Sequence, residues 1–330
     1  MSQMNADILL ITGGAGYIGS VLTGQALASG RRVRVLDNFR FGGQGLLAWQ
    51  GHPNLDIVKA DLTRARDVIA AVDGVSEIVH LAALVGDPAC QVEPELAAQV
   101  NRDGSIFLFE TARTRGVRRF VFASTCSNYG RMEDSDGWVD ETSMLQPVSH
   151  YARLKVEVEN YLLEQDSDVT ATILRFATAY GLSARPRFDL TVNEFTRDLV
   201  LERKLEVFGE QFWRPYCHTR DLAASCLAVI EATADTVDRQ AFNVGTDAEN
   251  YQKQTLVGLV LAQAPQAAKL VDYVRRDEDP RDYRVRFGKI RNTIGFRPRM
   301  TVPEGIAEIA WAIREGIIKD PFSKAYRNTR

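Results

Sequence analysis

Residues 8–19, Ile-Leu-Leu-Ile-Thr-Gly-Gly-Ala-Gly-Tyr-Ile-Gly, constrain this chain more than any other stretch. An aliphatic run that empties into spaced glycines and then into helix-forming residues describes a buried strand turning sharply into a helix. Gly13 permits the turn, Gly16 lets backbone amides approach an anion, and Gly19 lets the helix pack closely on the sheet. The helix N-terminus adds partial positive charge and unpaired N–H donors. A pyrophosphate fits that combination, and a turn with no ligand is the competing reading.

The next strand favours the ligand. Arg31–Leu36 reads as a second strand and ends in Asp37, where a carboxylate accepts hydrogen bonds from both ribose hydroxyls of an adenosine. The same charge repels a 2′-phosphate, which predicts NAD over NADP, although Arg40 keeps NADP open. A turn or helix cap is the other reading of Asp37. Asn38 beside it, Tyr17 and Ile18 within the turn, and Leu62 beside Asp61 extend the predicted cofactor wall. Asp61 either reaches the adenine amino group or caps the helix starting near Arg64.

Strand-like and helix-like stretches then alternate: Leu55–Lys59, Arg64–Val72, Glu77–His80, Glu95–Arg115, Arg118–Ala123, Ser149–Glu164 and Val169–Arg175. That order implies right-handed βαβ units and an α/β fold with a doubly wound parallel sheet. Beyond Arg175 the pattern loosens, and Gln240–Val244 returns to strand. We therefore expect one domain from 1–175 plus 219–250 and a smaller lobe from 176–218 plus 251–330, with a cleft between them. At 330 residues the chain is long enough for both.

The formal net charge of −3 argues against nucleic acid or a membrane surface as partner. No apolar run approaches the ~20 residues of a membrane span, and no leader-like segment opens the chain. A cytoplasmic location follows as the expectation. Cys90, Cys126, Cys217 and Cys226 lack Cys-x-x-Cys spacing, and the four histidines lack ligand spacing, so reduced thiols and no metal site are expected.

The glycines fall as Gly-x-x-Gly-x-x-Gly, and Tyr151-Ala-Arg-Leu-Lys155 follows the fifth strand with its phenol and ammonium on one helical face. Together these resemble the short-chain dehydrogenase/reductase superfamily, in its extended branch that works on nucleotide-linked sugars. The resemblance runs from about residue 7 to 310 and implies a Rossmann-type domain with a mostly C-terminal substrate lobe. It also implies a Ser/Thr–Tyr–Lys triad, here Thr125, Tyr151 and Lys155, with Ser124 as rival for the hydroxyl. A nearby Lys⁺ and a cationic nicotinamide would lower the Tyr151 pKa.

By the same resemblance Leu81, Ala82 and Ala83 line the nicotinamide ribose, and Asn101 holds the backbone of the site. His80 is read as packing within the sheet. Arg214 and Arg281 would grip a nucleotide diphosphate, a task suited to bidentate guanidinium groups. Asn193 matches an asparagine that contacts the phosphate or nucleotide. The family's Arg-Tyr-Phe-Asn reads Arg175-Phe-Ala-Thr178 here.

Related 4,6-dehydratases carry Asp-Glu directly after the threonine, where this chain has Cys126 and Ser127. That departure argues against dehydration, whether Cys126 moves a proton or is a buried strand-end thiol. The leading expectation is NAD-dependent epimerisation of a nucleoside-diphosphate sugar through a 4-keto intermediate. A reductase of a nucleotide-linked keto sugar is the alternative, and a non-catalytic dinucleotide sensor the third reading. A homodimer is implied through helices near 95–115 and 149–165, with Ile106, Phe107, Leu108 and Phe109 as candidate surface.

Overall fold

The computed structural model describes residues 7–131, 137–275 and 282–328. Seven strands form one parallel sheet: β1 (Ile8–Thr12), β2 (Arg32–Asp37), β3 (Leu55–Lys59), β4 (Glu77–His80), β5 (Arg119–Thr125), β6 (Thr170–Phe176) and, after three short strands, β10 (Gln240–Val244). Their spatial order is β10-β6-β5-β4-β1-β2-β3. The chain thus runs outward from β1 on one side, then returns and continues on the other. That reversal opens a crevice at the carboxyl ends of β1 and β4, where ligands bind in such sheets.

The hydrophobic runs explain why the sheet is covered on both faces. Successive side chains alternate between faces, so Leu9 and Ile11 join Leu22, Ala26, Leu222 and Val229 in one core. Leu10 joins Ile78, Phe120, Phe122, Val158 and Leu162 in the other. The first core sits under helices Tyr17–Ala28 and Thr219–Glu231, the second under Gly104–Thr114 and His150–Glu164. Leu108 and Phe109 lie within that second core, so of the four residues considered as dimer surface only Ile106 and Phe107 remain partly open.

The remaining strands build two small sheets. β7 (Thr178–Tyr180), β9 (Trp213–His218) and β11 (Asn250–Gln252) form one, with β9 central, and β8 (Leu205–Phe208) pairs with β12 (Val271–Val274). Helices Thr191–Val200, Lys253–Leu261 and Val302–Arg314 pack around Tyr180, Val207, Leu256 and Ile306.

Two elements depart from the sequence reading. The expected helix Glu95–Arg115 is interrupted by a π turn at Gln99–Asp103 between Pro94–Ala98 and Gly104–Thr114. The stretch between β4 and the π turn adds a short helix Asp87–Val92 that the alternation of strands and helices did not include. Gly86 sits at φ +101°, which only glycine adopts readily, and Pro88 suits the first helical turn.

Candidate active site

A single cleft of about 930 Å³ runs from Asp37 and Asp61, past the glycine turn and Tyr151, to Arg214 and Lys253. Its first end is set by β1. Gly13, at φ +71°, brings the turn so close to β4 that a Cβ there would lie 2.9 Å from Ala82 Cα. A Cβ at Gly19 would lie 2.0 Å from the Gly13 carbonyl oxygen. No side chain caps the helix that follows Gly16, so its first N–H groups are offered to the cleft.

Asp37 ends β2 at the same mouth. The Ala15 amide donates to Oδ2 at 3.0 Å and the Phe39 amide to Oδ1 at 2.8 Å. Burial pushes its carboxyl up, against those two hydrogen bonds and Arg185. Among the described residues no Lys or Arg forms an ion pair with it, which leaves the carboxylate for polar hydrogens of a ligand. For Asp61, burial is outweighed by hydrogen bonds from the Thr63 backbone and hydroxyl and from Asn38 Nδ2, which hold its carboxyl low. The Thr63 contacts give Asp61 a turn-capping role, while Asn38, Asp61 and Leu62 all line the cleft.

At the cleft's centre β5 delivers Ser124 and Thr125, and the helix capped by Ser149 delivers Tyr151 and Lys155. All four line the cleft, as do Leu81, Ala82 and Ala83. The fate of the two hydroxyls separates the rivals. Ser124 Oγ makes a very short hydrogen bond to Glu159, whereas among the described residues Thr125 Oγ1 accepts only the Ser127 amide, at 3.1 Å. Thr125 therefore keeps its own proton available for a ligand oxygen.

Lys155 Nζ donates to the Ala123 carbonyl at 2.8 Å and stands 5.9 Å from the Tyr151 ring centre. Burial pushes its ammonium down to about 8, opposed by Glu159 and Cys90. Burial, with Cys90 and Asp87 adding to it, pushes the Tyr151 phenol well up, and Arg187 only partly opposes this. The expected acidification of Tyr151 by Lys155 is thus absent from the protein's own charges, and a cation in the cleft is needed to supply it.

Behind these residues lies a buried polar network. Glu159 is fully buried and accepts from Ser124, from Asn128 Nδ2 at 2.7 Å, and from Arg175 Nε at 3.0 Å and Nη2 at 2.7 Å. Tyr129 accepts from Arg175 Nη1 and donates to Asn243 on β10. His80 is buried and held at Nδ1 by Thr12 and at Nε2 by Ser105, with burial and Lys155 keeping it neutral down to about 3. Asn101, in the π turn, clamps Leu84 by accepting from its amide at 2.7 Å and donating to its carbonyl at 2.9 Å. It braces the β4 loop without reaching the cleft wall.

At the far end Arg214 and Tyr283 line the cleft, the guanidinium 5.2 Å from the Tyr283 ring centre. Arg281 lies outside the described residues. Asn193 corrects an expectation: it is buried away from the cleft wall. Its Oδ1 accepts the Gly181 amide at 2.9 Å, and its Nδ2 donates to the Arg187 carbonyl and the Tyr17 hydroxyl. It fixes a loop in place of a ligand. Cys126 likewise faces the core, donating to the Arg175 carbonyl at 3.2 Å, while burial raises its thiol well above the ordinary range.

The sequence reading missed Arg185, Arg187, Asp189, Ser127, Lys253, Tyr283, Phe41 and Asn328, all on the cleft wall. The charge cluster in Arg185-Pro-Arg187-Phe-Asp189 was the available signal.

Known proteins share this architecture. The model of the NAD dependent epimerase/dehydratase family matches residues 9–245. A UDP-glucose 4-epimerase from Rhizobium leguminosarum bv. trifolii is 29% identical over 93% of this chain and 97% of its own length. A dTDP-glucose 4,6-dehydratase from Streptomyces griseus is also 29% identical, over 92% of this chain and 93% of its own length. Among solved structures, a dTDP-glucose 4,6-dehydratase from Streptomyces venezuelae with NAD bound has a TM-score of 0.83 at 26% identity, covering 93% of this chain and 97% of that one. A UDP-glucose 4-epimerase from Thermotoga maritima with UDP-glucose also has a TM-score of 0.83, at 25% identity over 94% of this chain and 99% of that one. The glycine turn that a Cβ would block, the unpaired Asp37 and the family match agree: this chain is an NAD-dependent enzyme of the epimerase/dehydratase family.

Proposed function

We propose that the enzyme epimerises a nucleoside-diphosphate sugar at C4 through a transient 4-keto intermediate. The observation that carries this reading over dehydration is the fate of the two positions after Thr125. Cys126 is turned into the core and only Ser127 faces the cleft, so the Asp-Glu pair of related dehydratases has no counterpart there. The family resemblance of the full-length UDP-glucose 4-epimerase relatives supports it further.

Bound NAD supplies an electron-pair acceptor beside the sugar carbon and a positive charge that lowers the Tyr151 pKa. The Asp37 carboxylate accepts from the adenosine ribose hydroxyls, and the amides after Gly16 face the pyrophosphate. Lys155, one helical turn past Tyr151, donates to the nicotinamide ribose. Thr125 donates to the C4 oxygen of the sugar and orients it toward Tyr151. Tyr151 takes the hydroxyl proton as C4 becomes a ketone, and returns it when the ketone is reduced on its other face. Arg214 grips the substrate diphosphate, leaving the sugar free to turn about that anchor. The lobe of 176–218 plus 251–330 closes over the sheet and retains the keto sugar.

Incubation of the purified protein with UDP-glucose and other nucleotide hexoses, without added cofactor, tests this. A C4 epimer should accumulate with no net cofactor consumption. In a parallel incubation with a nucleotide-linked 4-keto sugar and added NADH or NADPH, one-for-one consumption of the reduced cofactor would instead show a keto-sugar reductase. Tyr151→Phe should lower kcat by about 10²- to 10⁴-fold with NAD still bound. We place the enzyme in the cytoplasm as a homodimer. The partly open Ile106 and Phe107 on helix Gly104–Thr114 offer the apolar surface for pairing, and sedimentation at two concentrations tests it. Among the described residues no helix is long and apolar enough to cross a membrane.

A further inference from the structure

Arg185 is a buried charge that, among the described residues, no carboxylate contacts directly. It is 5% exposed, and its two hydrogen bonds go to neutral acceptors: Nη1 donates to Asn328 Oδ1 at 2.8 Å and Nη2 to the Arg327 carbonyl at 3.1 Å. Among the described residues its buried Nε has no partner. Among the described residues no carboxylate forms an ion pair with it, whereas Arg187 two residues on is neutralised by Asp189 at 2.8 Å. Burial, together with Arg187, pushes the Arg185 guanidinium down to about 10 against the pull of Asp189 and Asp37. A buried guanidinium held only by neutral groups is costly unless an anion completes it.

Its position says which anion. Ser183 Oγ donates to the Tyr17 carbonyl at 2.6 Å and lies 3.0 Å from Ser20 Oγ, so the loop carrying Arg185 rides on the first turn of the helix behind the glycines. The guanidinium stands 4.5 Å from the Phe41 ring centre, just past Asp37, and lines the cleft. The phosphate-facing helix end and the ribose-facing carboxylate therefore both flank it. Residues 326–328 hold the arrangement as a strap. The Phe188 amide donates to the Tyr326 carbonyl at 2.9 Å, the Asn328 amide to Asp189 at 3.0 Å, and Asn328 Nδ2 to the Val85 carbonyl at 3.4 Å. The strap thus bridges the loop of the smaller lobe and the loop after β4.

We propose that Arg185, held by this strap, binds the diphosphate of NAD and retains the cofactor between turnovers. The inference rests on the reading that the glycine turn holds a dinucleotide. The substrate's own diphosphate is the other source of the same chemistry, but Arg214 stands at that end of the cleft.

The test is calorimetric titration of the cofactor-stripped full chain with ADP-ribose and, separately, with UDP. In Arg185→Gln, ADP-ribose should bind about tenfold or more weakly, the loss expected for a hydrogen bond to a charged group, while UDP binds as in the wild type. Arg185→Lys should recover part of the loss. Asn328→Ala should release NAD faster while leaving UDP affinity unchanged. A loss for UDP that equals or exceeds the loss for ADP-ribose, or no loss for either, overturns the proposal. Failure of the wild type itself to bind ADP-ribose overturns instead the dinucleotide reading on which it stands.

Discussion

Lys155 carries the charge on which cofactor binding most directly depends. Its ammonium sits against the Ala123 carbonyl and the Phe122 ring, and burial brings it down to about 8. A lysine with a lowered folded pKa penalises folding in its charged form. That penalty is full below about 8 and fades as pH rises toward the ordinary lysine value. Function runs the other way, because only the ammonium donates three hydrogen bonds. NAD affinity should therefore fall as pH rises past about 8 in the wild type, and Lys155→Arg should move that limb to higher pH. Titration of cofactor affinity against pH, variant beside wild type, checks it. The Tyr–Lys spacing made the residues legible in the sequence. Their environment was not, since Ala123 and Phe122 lie on a different element.

At the scale of elements, the Glu159–Arg175 pair joins the Tyr–Lys helix to β6, and Ser124 and Asn128 tie the end of β5 to the same carboxylate. Both partners are nearly or fully buried, so Glu159→Gln, which leaves the Arg175 charge uncompensated, should cost about 3–5 kcal/mol and lower the Tm. Thermal unfolding of the single variant beside Glu159→Gln with Arg175→Met checks it, and the double variant should recover part of the loss. Gly19→Ala tests the glycine turn. Its Cβ would meet the Gly13 carbonyl oxygen at 2.0 Å, so the turn must shift, at about 1–3 kcal/mol with weakened NAD binding. Strand and helix identities were legible because aliphatic runs and glycines act locally. The π turn at Asn101 and the burial of Asn193 were not, because they depend on Leu84, Tyr17, Gly181 and Arg187, brought together only by the fold.

Across the whole molecule, the helix behind the glycine turn is fastened to the loop after β7 and to helix Thr219–Glu231. Tyr17 donates to the Gly181 carbonyl at 2.6 Å, Ser183 to the Tyr17 carbonyl, and Gln25 to the Arg220 carbonyl at 3.0 Å. Those contacts keep the walls of the cleft together around a dinucleotide and a second ligand. An epimerase needs that arrangement, since its cofactor must end each cycle as it began. The most direct measurement is a product analysis of purified enzyme given UDP-glucose, with no added cofactor, in deuterated water. The expected product is the C4 epimer with its carbon-bound hydrogen retained and the bound NAD unchanged in amount and oxidation state. An epimer carrying deuterium at C4, or an oxidised sugar formed one for one with reduced NAD in place of the epimer, would contradict it.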